Sequence, residues 1–110
     1  MIEREIKKVV RSNGSIPYDN WYESIRDARL RAAVAARIAR VRAGNFGDHK
    51  PVGEGVSELR INKGPGLRVY YGEYEGNVVL LLGGGDKSTQ QRDIVNAIDL
   101  WKQWKQLNKK

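Results

Sequence analysis

The 110-residue chain contains no cysteine and a single histidine, His49. The first absence excludes disulfides and thiolate metal sites, and it fits a cytosolic protein. The second argues against a histidine-based metal centre, and no metal or cofactor is expected. Long apolar runs are missing too. The longest, Val78–Leu82, falls far short of the roughly 18–20 residues that a membrane span requires, so no membrane partner is expected. The opening Met1-Ile2-Glu3-Arg4-Glu5 lacks the apolar stretch of a secretory signal, and the expected location is the cytoplasm. Acidic residues are in the minority, 13 against 20 lysines and arginines, which leaves a net charge of +7. An anionic partner follows from that excess, either nucleic acid or an acidic protein.

What is present reads as one domain over 1–110, long enough to build a core without covalent staples. Glu3–Arg11 alternates weakly and runs into Asn13-Gly14, a turn dipeptide, which predicts a first strand. Pro17 suits the first position of a short helix over Tyr18–Ile25 that turns Trp21 and Ile25 inward. A second helix from about Ala28 to Ala43 carries Leu30, Val34, Ile38 and Val41 at helical spacing, and Gly44 ends it. Arg26, Arg29, Arg31, Arg37, Arg40 and Arg42 load this region and its outer face. The glycine-rich segment Asn45–Gly55 reads as a loop. Three strands follow, Val56–Asn62, Leu67–Tyr74 and Val78–Gly83, and the last is apolar on both parities, as a doubly covered strand would be. Ser88 and Gln91 have the spacing of a capping box that opens a final helix with Ile94, Ile98, Trp101 and Trp104 on one side. The order β-α-α-β-β-β-α predicts an α+β fold: a largely antiparallel four-stranded sheet, two N-terminal helices on one face, and a C-terminal helix.

Two segments could carry chemistry. In Gly83-Gly84-Gly85-Asp86-Lys87-Ser88-Thr89, a phosphate-binding P-loop fails, because Leu81 and Asp86 stand where its glycines belong. A simpler anion site at a helix start, with Lys87 adding charge, and a plain strand-to-helix turn both remain open. The second segment is Val56–Tyr71. Each of its strands has one apolar parity (Leu59 and Ile61; Leu67, Val69 and Tyr71) and an arginine on the other (Arg60; Arg68). Simple register around Gly64-Pro65-Gly66 puts both arginines and Tyr70 on one face, expected to be concave and open, with Lys87 entering from the next strand. Convergent cations of this kind hold phosphates. A solvated face with salt bridges to Glu58 and Glu73 is the alternative.

The blocks "VSELRINKGPGLRVYY" and "VVLLLGGGDKSTQQRDI", with "GNFGDHKPVGEGV" upstream, resemble the RelE/ParE superfamily of bacterial toxins. They are most similar to its addiction module killer protein (HigB/RelE-like) branch, from about Ile6 to Trp104. The resemblance implies a type II toxin–antitoxin toxin: a metal-independent endoribonuclease that cleaves mRNA on the ribosome and stops translation. Its implied partners are mRNA, the ribosome and a helix-turn-helix, HigA-like antitoxin. By the same resemblance Arg68 matches the arginine on the scissile phosphate, while Arg60 and Lys87 fall at basic positions of the site. Some relatives carry a Tyr or His after the last strand, where this chain reads Gln90-Gln91-Arg92-Asp93. His49 and Tyr70 are the candidates for proton transfer in its place, and Lys50, Lys63 and Arg92 for RNA contacts. The alternatives are a ParE-like gyrase poison without enzymatic activity and a non-toxic basic RNA-binding module.

Overall fold

A computed structural model describes residues 2–109. In chain order they form β1 (Glu5–Lys8), α1 (Pro17–Ser24), α2 (Ala28–Arg42), β2 (His49–Gly53), β3 (Val56–Ile61), β4 (Leu67–Tyr74), β5 (Val78–Asp86) and α3 (Gln90–Leu107). A single 3-10 turn, Lys87–Thr89, links β5 to α3. The strands make one mixed sheet in the order β1-β5-β4-β3-β2. β2 to β5 run as an antiparallel meander, and β1 joins the edge of β5 in parallel.

The α+β class is as the sequence predicts, but the sheet has five strands rather than four. The extra one, β2, lies inside the segment read as a loop. Its glycines serve a hairpin: Glu54 and Gly55 both have positive φ, 54° and 86°, as a tight two-residue turn between antiparallel strands requires. Pro51 is tolerated because β2 is an edge strand with no outer partner for a missing N–H.

The helices divide between the two faces. α1 and α2 cover one, where Val34, Ile38 and Val41 meet Leu59, Val69 and Tyr71. α3 covers the other, where Ala97, Leu100 and Trp101 meet Val56, Tyr70, Leu80 and Leu82. The arginine face is therefore roofed along part of its length, which corrects the expectation of an open, concave surface. Val78–Leu82 is buried throughout and feeds both cores, as its double apolar parity predicts.

Local signals set the helix ends. Asp27 caps α2 by accepting from the Arg29 backbone N–H at 2.8 Å, and Gly44, at φ +97°, follows its last turn. The cap before α3 sits earlier than the Ser88 and Gln91 pair suggests. Asp86 accepts from the Ser88 backbone N–H at 2.8 Å and from its hydroxyl at 2.6 Å. These bonds, the hydroxyl's first, hold the Asp86 carboxyl below its usual range. A lowered folded value contributes stability that is present above the unfolded value, near about 3.9, and lost as pH falls through the folded one. Asp86→Ala is expected to cost about 1 kcal/mol in urea denaturation at pH 7, with the difference from wild type shrinking in acid. An unchanged midpoint at pH 7 would refute the cap.

Candidate active site on the arginine face

Strand register decides whether the basic residues form one site. Arg60 lies directly opposite Arg68 in the β3–β4 ladder, so both guanidinium groups leave the same face. Like charges placed across a ladder destabilise it, and each arginine has a carboxylate of its own. Asp48 Oδ1 accepts from Arg60 at 3.2 Å from Nε and 2.7 Å from a terminal nitrogen. Arg68 Nε lies 3.5 Å from Glu58 Oε2, an ion-pair contact longer than a hydrogen bond. Glu73, the other carboxylate in reach on sequence grounds, instead pairs with Arg4 at 2.8 Å.

Lys87 completes the group. A Cβ added to Gly66 would meet Lys87 Cβ at 3.4 Å and an Arg68 terminal nitrogen at 3.7 Å, so the stem of Lys87 and the Arg68 guanidinium flank one glycine. Arg68 is 8% exposed, Arg60 half-buried and Lys87 exposed. Lys50 shares the face because it pairs with Glu58 across β2 and β3. Lys63 is exposed in the β3–β4 turn, and Arg92 is exposed in the first turn of α3 beside Asp93. Among the described residues, Lys50, Lys63 and Lys87 have no ion-pair partner.

Neither candidate for proton transfer is presented beside the arginines at an open surface. His49 pairs with Leu59, whose side chain is on the α1/α2 face. Its ring packs 5.5 Å from Phe46, and its Nδ1 sits 2.8 Å from the Gly47 carbonyl oxygen. The structure thus separates His49 from the arginines by the thickness of the sheet. Tyr70 does share their face, yet it is 1% exposed beneath α3 rather than open to a ligand. Burial first, and then the charges of Glu58 and Asp93, push its hydroxyl well above the usual phenol range. It stays protonated at neutral pH and cannot serve as a base there.

Two of the three consecutive glycines have a packing explanation, and the third, Gly83, has a positive φ of 149°. Gly84 faces α1, where any Cβ would collide with the Trp21 ring, and Gly85 faces α3, where one would collide with the Asp93 carboxylate. The adjoining turn is filled by the chain's own Asp86 rather than left open for an anion. Of the two readings of this segment, the strand-to-helix turn is the one the geometry favours.

Sequence reasoning offered Glu58 as a salt-bridge partner on this face but missed its burial, its bond from Gln90 and the pairing of Asp48 with Arg60. Glu58 is fully buried and receives Gln90 Nε2 at 2.9 and 3.3 Å on its two oxygens. The signal for Glu58 was available, since it has the parity of Arg60. The approach of Gln90 depends on where α3 lies, which no local pattern reports. Among the described residues, no three His, Asp or Glu side chains gather as metal ligands would, and no helix is long and apolar enough to cross a membrane.

No family model matches the chain, and no solved structure does. It is similar to an uncharacterized protein of Haemophilus influenzae, with 47% identity over 83 residues that cover 76% of this chain and 84% of that protein. At that identity and coverage, this chain belongs to the same family as the uncharacterized Haemophilus influenzae protein.

Proposed function

We propose that this chain is the toxin of a type II toxin–antitoxin pair, a RelE-like endoribonuclease that cleaves mRNA on the ribosome in the cytoplasm. The observation that carries the reading is the placement of Arg60 directly opposite Arg68, with Lys87 beside Arg68 at Gly66. Asp48 and Glu58 offset the like charges across the ladder, and the arginine donors that these carboxylates leave over can take a phosphate. In the reaction the 2′-oxygen bonds to phosphorus and the bond from phosphorus to the 5′-oxygen breaks. The products are a 2′,3′-cyclic phosphate and a 5′-hydroxyl; the 2′-hydroxyl gives its proton to solvent water, and the 5′-oxygen takes one from Lys87, which solvent then reprotonates. Arg60 and Arg68 neutralise the charge gathered on the phosphorane, and arginine suits the task through its planar fork. Lys87, exposed and unpaired, donates to the leaving 5′-oxygen. Neither His49 nor Tyr70 enters this scheme. The site is modestly equipped, and a ribosome that bends mRNA towards in-line geometry would supply the alignment it lacks.

A HigA-like antitoxin with an acidic segment is the proposed second partner. α2 suits it, since Arg29, Arg31, Arg37, Arg40 and Arg42 stand on this helix without a single acidic residue. Lys50, Lys63 and Arg92 are proposed as RNA contacts around the site.

Purified chain added to ribosomes programmed with mRNA is expected to produce discrete cuts that persist in EDTA once the ribosomes are stabilised with polyamine. Lys87→Ala is expected to slow them about 10²–10³-fold, the loss typical of one preorganised charge contact. Cutting that stops on chelation and returns with a divalent ion would refute the cationic mechanism.

A further inference from the structure

Glu58 is a charged group with 0% exposure, and as stability alone goes it is an odd choice. A buried ion pair gains little over well-packed apolar side chains of the same volume. What the carboxylate supplies is direction. Gln90, the first residue of α3, donates to both of its oxygens and fixes the carboxylate from the helix side. Glu58 then meets Arg68 at the Nε edge of the guanidinium, 3.5 Å away. One terminal nitrogen at the other end is held by the chain's own backbone. A terminal nitrogen of Arg68 lies 3.4 Å from the Gly66 carbonyl oxygen and 3.3 Å from that of Leu67, beside the glycine that Lys87 also flanks. The guanidinium is thus held along its Nε edge and at one terminal nitrogen, next to the glycine that the Lys87 stem also flanks.

We infer that Glu58, clamped by Gln90, is a positioning residue that aims the Arg68 fork at the scissile phosphate beside Lys87. The inference rests on the ribonuclease reading of the site. It makes binding and cleavage move apart. Glu58→Gln keeps the shape of the side chain and removes a negative charge, so RNA is held at least as well. Arg68 loses its fixed direction, and a misplaced contact of this kind lowers turnover by about tenfold to a hundredfold.

The test compares wild type, Glu58→Gln, Gln90→Ala and, as a control remote from the site, Lys102→Ala. Turnover and KM are measured on ribosome-bound mRNA at a temperature where circular dichroism shows every variant folded. Exchange of the Arg68 Nε proton is followed by NMR on the same samples. Expected are a lower kcat without a higher KM in Glu58→Gln, the same change by a smaller factor in Gln90→Ala, and faster Nε proton exchange in both. Lys102→Ala is expected to match wild type in all three. Wild-type kcat in Glu58→Gln, or a kcat loss with Nε exchange unchanged, overturns the inference while leaving the ribonuclease reading intact. A wild-type protein that cuts no RNA overturns both.

Discussion

Arg68→Ala is expected to lower stability by about 3–5 kcal/mol, the usual cost of stranding one member of a buried ion pair. Arg68 is 8% exposed and Glu58 fully buried. Removing the guanidinium leaves a carboxylate with Gln90 as its hydrogen-bond partner and no opposing charge. Urea denaturation at pH 7 measures the loss directly. The double variant Arg68→Met with Glu58→Leu is expected to recover most of it, since apolar replacements of similar volume remove both charges at once. It is expected to stay inactive. A single Arg68→Ala variant within about 0.5 kcal/mol of wild type, the range of an ordinary surface change, would mean that the pair is neither buried nor coupled. The size of this effect also bears on how the site is probed. Loss of activity in Arg68→Ala mixes chemistry with unfolding, whereas Lys87 is exposed and unpaired and reports on chemistry more cleanly.

Trp101→Ala is expected to cost about 3–5 kcal/mol as well, through the cavity left in the second core. The ring is 4% exposed and stacks on Trp104 with centroids 5.6 Å apart. It also lies flat over Gly72: a Cβ there would come within 2.7–2.8 Å of three ring atoms. Gly72→Val is accordingly expected to cost about 1–3 kcal/mol by overpacking. Combined with Trp101→Ala it is expected to cost far less, because the clash is gone, and the coupling appears as non-additivity in a double-mutant cycle. Strict additivity would show that α3 does not press on the sheet at this point. Such a result would also remove the reason for Tyr70 being buried.

Much of this was legible in the sequence where local chemistry decides the outcome. Pro17 opened α1, Gly44 closed α2, and the two parities of Val56–Ile61 and Leu67–Tyr71 separated core from arginines. The pairing of Arg60 with Arg68 followed from a turn of fixed length. What was not legible depended on tertiary position. β2 has no alternation to betray it, carries a proline, and owes its place to pairing with β3. The side of the sheet taken by α3 cannot be read from its apolar stripe, because both faces of β5 offer apolar partners. That choice buried Tyr70, brought Gln90 to Glu58 and turned an open face into a partly covered one. His49 went to the other face through the register of a strand that was not anticipated.

The ribonuclease reading is tested most directly by mapping mRNA 5′ ends by primer extension after brief induced expression, with wild type beside Lys87→Ala and Arg60→Ala. The account predicts new ends inside translated regions for wild type as growth stops, and their loss together with the growth arrest in both variants at equal protein level. Growth arrest without new mRNA ends, accompanied by DNA damage signalling as a gyrase poison would cause, would contradict it.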